Sequence, residues 1–284
     1  VSGSIIHRFH HLRTAPGDVA LCHLGQQSFI LKFGETTVFV DPYLTPCRGR
    51  LVAPFFKPED VVGADIVSGS HDHSDHIDRL AWPAIAAASP KACFVVPEAV
   101  RDSVIKETGI AAQRITGLND GGCVEVNGVR ISAVAAAHEF LDYNPATGLY
   151  PYLGYIFESN GVTVYHAGDS CIYEGLQTKL KKWTIDIALL PINGRDAVRL
   201  RKNCIGNMTY QEAADLAGAL SPKLTIPTHY DMFAMNSLDP RLFIDYMKVK
   251  YPRLKCARPR LGTIFRWSSN SHYGSRTSRM QAKA

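Results

Sequence analysis

"SGSHDHSDHID", residues 68–78, sets three histidines and three aspartates within eleven positions of a chain that holds only eleven histidines in 284 residues. On a helix, His71, His73 and His76 would point about 0°, 200° and 140° around the axis, and on a strand His76 would oppose the other two. Neither regular element converges all three on one centre. A loop leaving a strand can wrap around one, so the stretch suits two adjacent cations, with His71 and His73 facing one and Asp75 and His76 the other. Imidazole and carboxylate together suit Zn²⁺, Mn²⁺ or Fe, and the lack of cysteine argues against a structural zinc knuckle. A His/Asp-rich surface turn holding no ion is the plain alternative.

The flanking text predicts what aims this loop. "DIVSGS" (65–70) reads as a short buried strand that ends at the cluster. Upstream, "VALCHLGQQSFILKFGETTVFVD" (19–41) breaks into three β-rich runs at Gly25 and at "GETT", an antiparallel meander. Downstream come an Ala-rich helix (79–89), a strand (92–97), a helix (98–109) and a strand pair (122–138) turning at Asn127-Gly128. The second half repeats that grammar. Strands joined at Asn160-Gly161 lead to a helix near 174–182, a strand at 186–192, and a helix from 209 with Thr209 and Glu212 as a capping box. A strand at 223–231, a helix near 240–249 and a last strand at 262–267 complete it. Strand meanders interleaved with helices in both halves predict an α/β protein, two mixed sheets packed face to face with helices outside, an αββα sandwich. A single domain over 19–267 is expected, with an N-terminal segment at 1–18 and a polar, disordered tail at 268–284. His138, Asp169 and His229 each stand where an apolar strand gives way to a loop.

Composition narrows the class. Hydrophobic residues make up 46% and charged residues 20% of the chain, enough to bury a large core. The net charge of +5 favours a small anionic substrate and falls short of the concentrated basic patch of a nucleic-acid binder. No apolar run is long enough to span a membrane, and the opening "VSGSIIHRFHHLR" has no signal-peptide core, which together predict a cytoplasmic protein. Seven scattered cysteines, none in a C-x-x-C pair, read as reduced thiols.

The set "HDHSDH", "AAHE", "HAGDS" and "PTHYDMF", preceded by "LGQQSFILKFGETTVFVDPYL", resembles the metallo-β-lactamase superfamily of metal-dependent hydrolases. "YHAGDS", "PINGRD" and "HYDMF" are most similar to its L-ascorbate-6-phosphate lactonase branch. The resemblance implies the same αββα fold with two divalent ions at one edge. It implies His71, His73 and His138 on the first ion, Asp75, His76 and His229 on the second, and Asp169 bridging. Asp41 and His166 would orient ligands from outside. It further implies hydrolysis by a hydroxide held between the ions, Asp75 handling its proton, and a homo-oligomer. A lactone or ester of a small anionic sugar-derived metabolite is the expected substrate. A phosphodiester is the alternative, and a non-catalytic metal-binding protein a more distant one. β-Lactamases of the superfamily usually carry cysteine where Asp169 stands, which disfavours antibiotic hydrolysis.

Recognition is expected from the surrounding loops. "PINGRDAVRLRKN" (191–203) offers Asn193, Arg195 and Arg199, whose guanidinium forks suit carboxylate or phosphate. Tyr143, in the Pro- and Gly-rich stretch 139–155, is a candidate lid residue.

Overall fold

Alternation along the first strand shows how the layers are made. The computed structural model describes residues 4–269, and its β1 (Asp18–Gly25) turns Val19 and Leu21 to one core and Ala20 and Cys22 to another, all four fully buried. A strand buried on both faces belongs between two layers. β2 (Ser28–Phe33) and β3 (Thr36–Val40) extend it antiparallel, and β4 (Ile66–Ser68), β5 (Cys93–Pro97) and β6 (Ile115–Leu118) follow in parallel. The second sheet runs antiparallel through β7 (Cys123–Val126), β8 (Val129–Ala135), β9 (Leu153–Ser159) and β10 (Val162–His166), then parallel through β11 (Ile187–Pro191) and β12 (Leu224–Thr228). β13 (Phe265–Ser268) returns to pair with β1 in the first sheet.

Leu21, Phe29, Val38 and Val95 meet Ile131, Tyr155, Phe157 and Leu189 between the sheets. Each such side chain contributes roughly 1.5–3 kcal/mol by leaving water. Outside the first sheet lie α1 (Ile5–His10), α2 (Trp82–Ala88) and α3 (Arg101–Thr108), which bury Phe9, Trp82 and Val104 over Ile30 and Phe94. Outside the second lie α4 (Leu176–Leu180), α6 (Tyr210–Leu220) and α7 (Pro240–Lys250), covering Ile156, Ala188 and Leu190 with Leu180, Ala213 and Phe243. Between α4 and α6 the chain makes one short helix, α5 (Ala197–Leu200). The architecture is the expected αββα sandwich.

Local devices follow the sequence. Asn127-Gly128 and Asn160-Gly161 both take positive φ at both positions, the mirror-image turn that matches strand twist. Thr209 and Glu212 form a reciprocal capping box, Glu212 N donating to Thr209 Oγ1 at 3.2 Å and Thr209 N to Glu212 Oε2 at 2.8 Å. Several boundaries differ from expectation. β8 stops at Ala135, three residues before His138, because Ala136 N turns to Tyr152 O and Ala137 N to Ser170 Oγ. Ser268, assigned to the tail, closes β13 opposite Asp18, while 270–284 of that tail and 1–3 of the N-terminal segment lie outside the described residues. No helix among the described residues is long and apolar enough to cross a membrane.

Candidate metal centre

β4 delivers the histidine loop, which closes on itself as one tight turn through His76 N and Ile77 N, both donating to His73 O. Asp78 pins it from below, accepting from Leu44 N, Thr45 N and Thr45 Oγ1 at 2.6–2.9 Å. Three donor sets result, each with its ligand atoms within 4.8 Å of one another: His71, His73 and His138; His71, His76 and Asp169; Asp75, His76 and His229. Asp169 lies among them. Its Oδ2 is 3.1 Å from His229 Nε2, 3.6 Å from His76 Nε2 and 3.9 Å from His138 Nε2. It sits in the loop after β10, where Gly168 takes φ +60° and a Cβ would stand 2.6 Å from Leu153 O. Glycine there lets that loop fold tightly against the strand.

A frame of buried hydrogen bonds sets the ring directions. Asp41, fully buried, accepts from Ser70 N at 2.8 Å and Ser70 Oγ at 2.6 Å and holds His76 Nδ1 at 2.6 Å, leaving His76 Nε2 aimed at the carboxylates. His166 acts one step further away: its Nε2 donates to Gln27 O at 2.9 Å, and Gln27 Nε2 donates to Gly168 O and to Asp169 Oδ1. Gln26 lies 3.4 Å by its Nε2 from His229 Nε2. Backbone strain concentrates here too, since Gln26, Asp41, Glu139, His229 and Asp231 are non-glycine residues at positive φ.

Electrostatics divides the cluster. Burial lowers His71 and His73, and lowers His138 to about 4, so these rings are neutral at pH 7 and offer lone pairs. Burial works against charge on His76 as well, but Asp169, Asp75 and Asp41 outweigh it and hold that imidazole well above its ordinary value. Burial would raise Asp169, yet His229 and His76 keep it well below the carboxylate range. The pocket therefore stabilises positive charge at its centre. His76 Nε2 is buried with no hydrogen-bond partner, 3.6 Å from both Asp75 Oδ2 and Asp169 Oδ2. That spacing is too long for a hydrogen bond and fits ligand atoms around a shared cation. The donors present thus fit divalent metal.

Of the residues expected to bind substrate, Asn193, Arg195 and Arg199 are gathered in a network of their own. Arg195 gives both Nη atoms to Glu212 at 2.7 Å, and Nη1 also donates to Asn207 O. Arg199 donates to Asp196 Oδ2 at 2.7 Å and Asn193 O at 2.6 Å, and buried Asn193 is bonded to Asn207 and Asn236. The fork of Arg195 is thus taken by Glu212, whereas Arg199 meets a carboxylate through Nε alone. Tyr143 stands half exposed, its ring 5.0 Å from that of Tyr150, on a small cavity beside Ala99 and Thr147.

Three contributors escaped the sequence reading. Gln26 and Gln27 sit in a turn between strands, and a polar pair there, flanked by buried apolar runs, is their only trace. Tyr152, in the 139–155 stretch, lays its ring 5.3–6.4 Å from those of His71, His73 and His138.

A two-sheet sandwich that presents such a donor set at one edge defines the metal-dependent hydrolases of the metallo-β-lactamase fold. Residues 20–229 match the family described as the beta-lactamase superfamily domain. The UPF0173 metal-dependent hydrolase of Pyrococcus abyssi is 31% identical over 78% of this chain and 88% of that protein, and that of Methanosarcina mazei is 26% identical over 82% and 92%. Igni18, a metallo hydrolase from Ignicoccus hospitalis, shares the fold with a TM-score of 0.70 at 23% identity, covering 88% of this chain and 99% of its own. The chain belongs to the metallo-β-lactamase superfamily, within its UPF0173 metal-dependent hydrolase family.

Proposed function

We propose that the protein hydrolyses a carboxylic ester, a lactone first among them, at a pair of divalent ions, Zn²⁺ or Mn²⁺. His71, His73 and His138 would hold one ion, Asp75, His76 and His229 the other, with Asp169 between them. Bound there, such ions lower the pKa of water and polarise a substrate carbonyl. The observation that carries the reading is the position of Asp75. Its side chain is 20% exposed where those of His76, His138, Asp169 and His229 are at most 4% exposed, so it is the carboxylate of the cluster that incoming substrate meets.

From that position Asp75 takes the proton of the attacking water and returns it to the leaving alkoxide. Hydroxide oxygen bonds to the carbonyl carbon, the carbon–oxygen bond to the alcohol breaks, and carboxylate and alcohol leave. Asp41 keeps His76 pointed inward throughout, and Gln27 keeps Asp169 turned toward the histidines. The resemblance to the lactonase branch in "YHAGDS" and "HYDMF" supports the lactone as the first substrate to test.

A panel of lactones and simple esters against bis-p-nitrophenyl phosphate tests this. Ester turnover should exceed phosphodiester turnover, and Asp75→Asn should lower kcat about 10²–10⁴-fold. Faster phosphodiester cleavage, or an Asp75→Asn variant with full activity, would overturn the reading.

A further inference from the structure

Large apolar side chains stand exposed on the segments around the metal centre. Thirteen large hydrophobic side chains are exposed among the described residues, and six lie on three short segments: Phe140, Leu141 and Tyr143; Ile172; Val198 and Leu200. These segments frame the donors. Phe140 bridges backbone to backbone with His138, and Cys171 N, next to Ile172, donates to Ala137 O at 2.7 Å. Met208 N donates to Ser170 O, and Cys171 Sγ lies 3.8 Å from Gly206 O, which ties the α5 segment to the Asp169 loop. Between Glu139 and the α5 segment opens a cavity of about 180 Å³, lined by Leu200, Cys204 and Ile205 together with Glu139, Arg195 and Asp196.

Charge at this cavity is already balanced or of the wrong sign for an anion. Arg195 is matched by Glu212 and Arg199 by Asp196, while Glu139 has no cationic partner among the described residues. Solvent-facing Phe140 at 70% and Leu200 at 58% leave apolar surface in water next to the reacting groups, which is unfavourable unless something covers it. A ligand that covers it gains about fourfold in affinity per methylene fully removed from water.

We infer that the substrate carries an apolar acyl or aryl group beside its scissile bond, seated against Phe140, Ile172, Leu200 and Ile205. This rests on the ester-hydrolase reading above and names its substrate class: an uncharged or amphipathic ester rather than a compact polar anion. The carbonyl sits over Asp75 and the donors, and the apolar arm lies along α5.

The test is a p-nitrophenyl ester series from acetate to octanoate with the metal-loaded protein. kcat/KM should rise about two- to fourfold per methylene. The rise should flatten in the double variant Phe140→Ser, Leu200→Ser and persist in Val249→Ser, an exposed position on α7. A flat or falling dependence in the wild type overturns the inference, as does an equal slope in the double variant. If no ester is cleaved, the hydrolase reading fails separately, and calorimetric titration with acetate through octanoate still decides: affinity must climb with chain length and lose that climb in the double variant.

Discussion

The floor and the mouth of this site were built by different rules. On the floor, each polar side chain that aims a donor is buried and held by a partner close in the chain or across one sheet edge: Asp41 with Ser70 and His76, Gln27 with Asp169, Asp78 with Thr45. At the mouth, the arginines are paired within the chain, Arg195 with Glu212 and Arg199 with Asp196, and apolar side chains such as Leu200 are left facing solvent. The chemistry of a floor is carried by residue type and spacing, because ligand atoms must be certain atoms at certain distances. The chemistry of a mouth depends on which charges the folded chain has already neutralised, and that is a tertiary fact.

Breaking the floor should have the largest effects. His71→Ala removes a donor shared by two of the three sets and should take ester hydrolysis to background with loss of bound metal, read by elemental analysis beside the assay. Full activity in that variant would mean that the floor does not react.

The floor's packing also predicts an acid limit. His23 is buried against Phe29 with Nε2 on Gln26 O at 3.0 Å, and burial lowers its pKa from 6.5 to about 4. The unfolded chain therefore takes up this proton first. Stability from this group is complete above pH 6.5 and declines toward pH 4, by about 3 kcal/mol in all. Denaturant midpoints for the wild type and His23→Phe from pH 7 to 4.5 should diverge, the variant falling less steeply. Parallel curves would remove His23 from the account.

Asp41→Asn sharpens the comparison one layer out. It leaves His76 in place but weakens the grip on Nδ1, and metal affinity or activity should fall about 10–100-fold. At the mouth, Arg195→Ala should change little. Losing an exposed ion pair costs under about 1 kcal/mol of stability, and KM for esters should stay within a factor of two or so. A large KM increase for anionic esters alone would restore Arg195 to substrate recognition.

The same division explains how much was legible in the sequence. The sandwich was readable because Val19, Ala20, Leu21 and Cys22 form an unbroken buried run bounded by turns, and because Asn-Gly pairs and the Thr209 capping box mark element ends. The residues from His71 to His229 that converge on the centre were readable from residue type at strand ends. Gln26 and Gln27 were not, since an amide pair in a tight turn looks like any other turn until β2 brings it beside Asp169. The pairing of Arg195 was hidden for the opposite reason: Glu212, seventeen residues further on, already has a role as a helix cap, and its second role is visible only once α6 and the 193–207 loop are packed. His138 kept its place as a donor although its strand ended early, because Tyr152 and Ser170 hold the backbone that carries it.

The central claim, that paired divalent ions in this cluster drive ester hydrolysis, is tested most directly by chelating the protein and titrating Zn²⁺ or Mn²⁺ back while following ester cleavage. Activity should be absent in the chelated protein and return with added ion, levelling off when the donor sets are filled at two equivalents. Undiminished hydrolysis by fully chelated protein, or ion uptake that restores none, would contradict it.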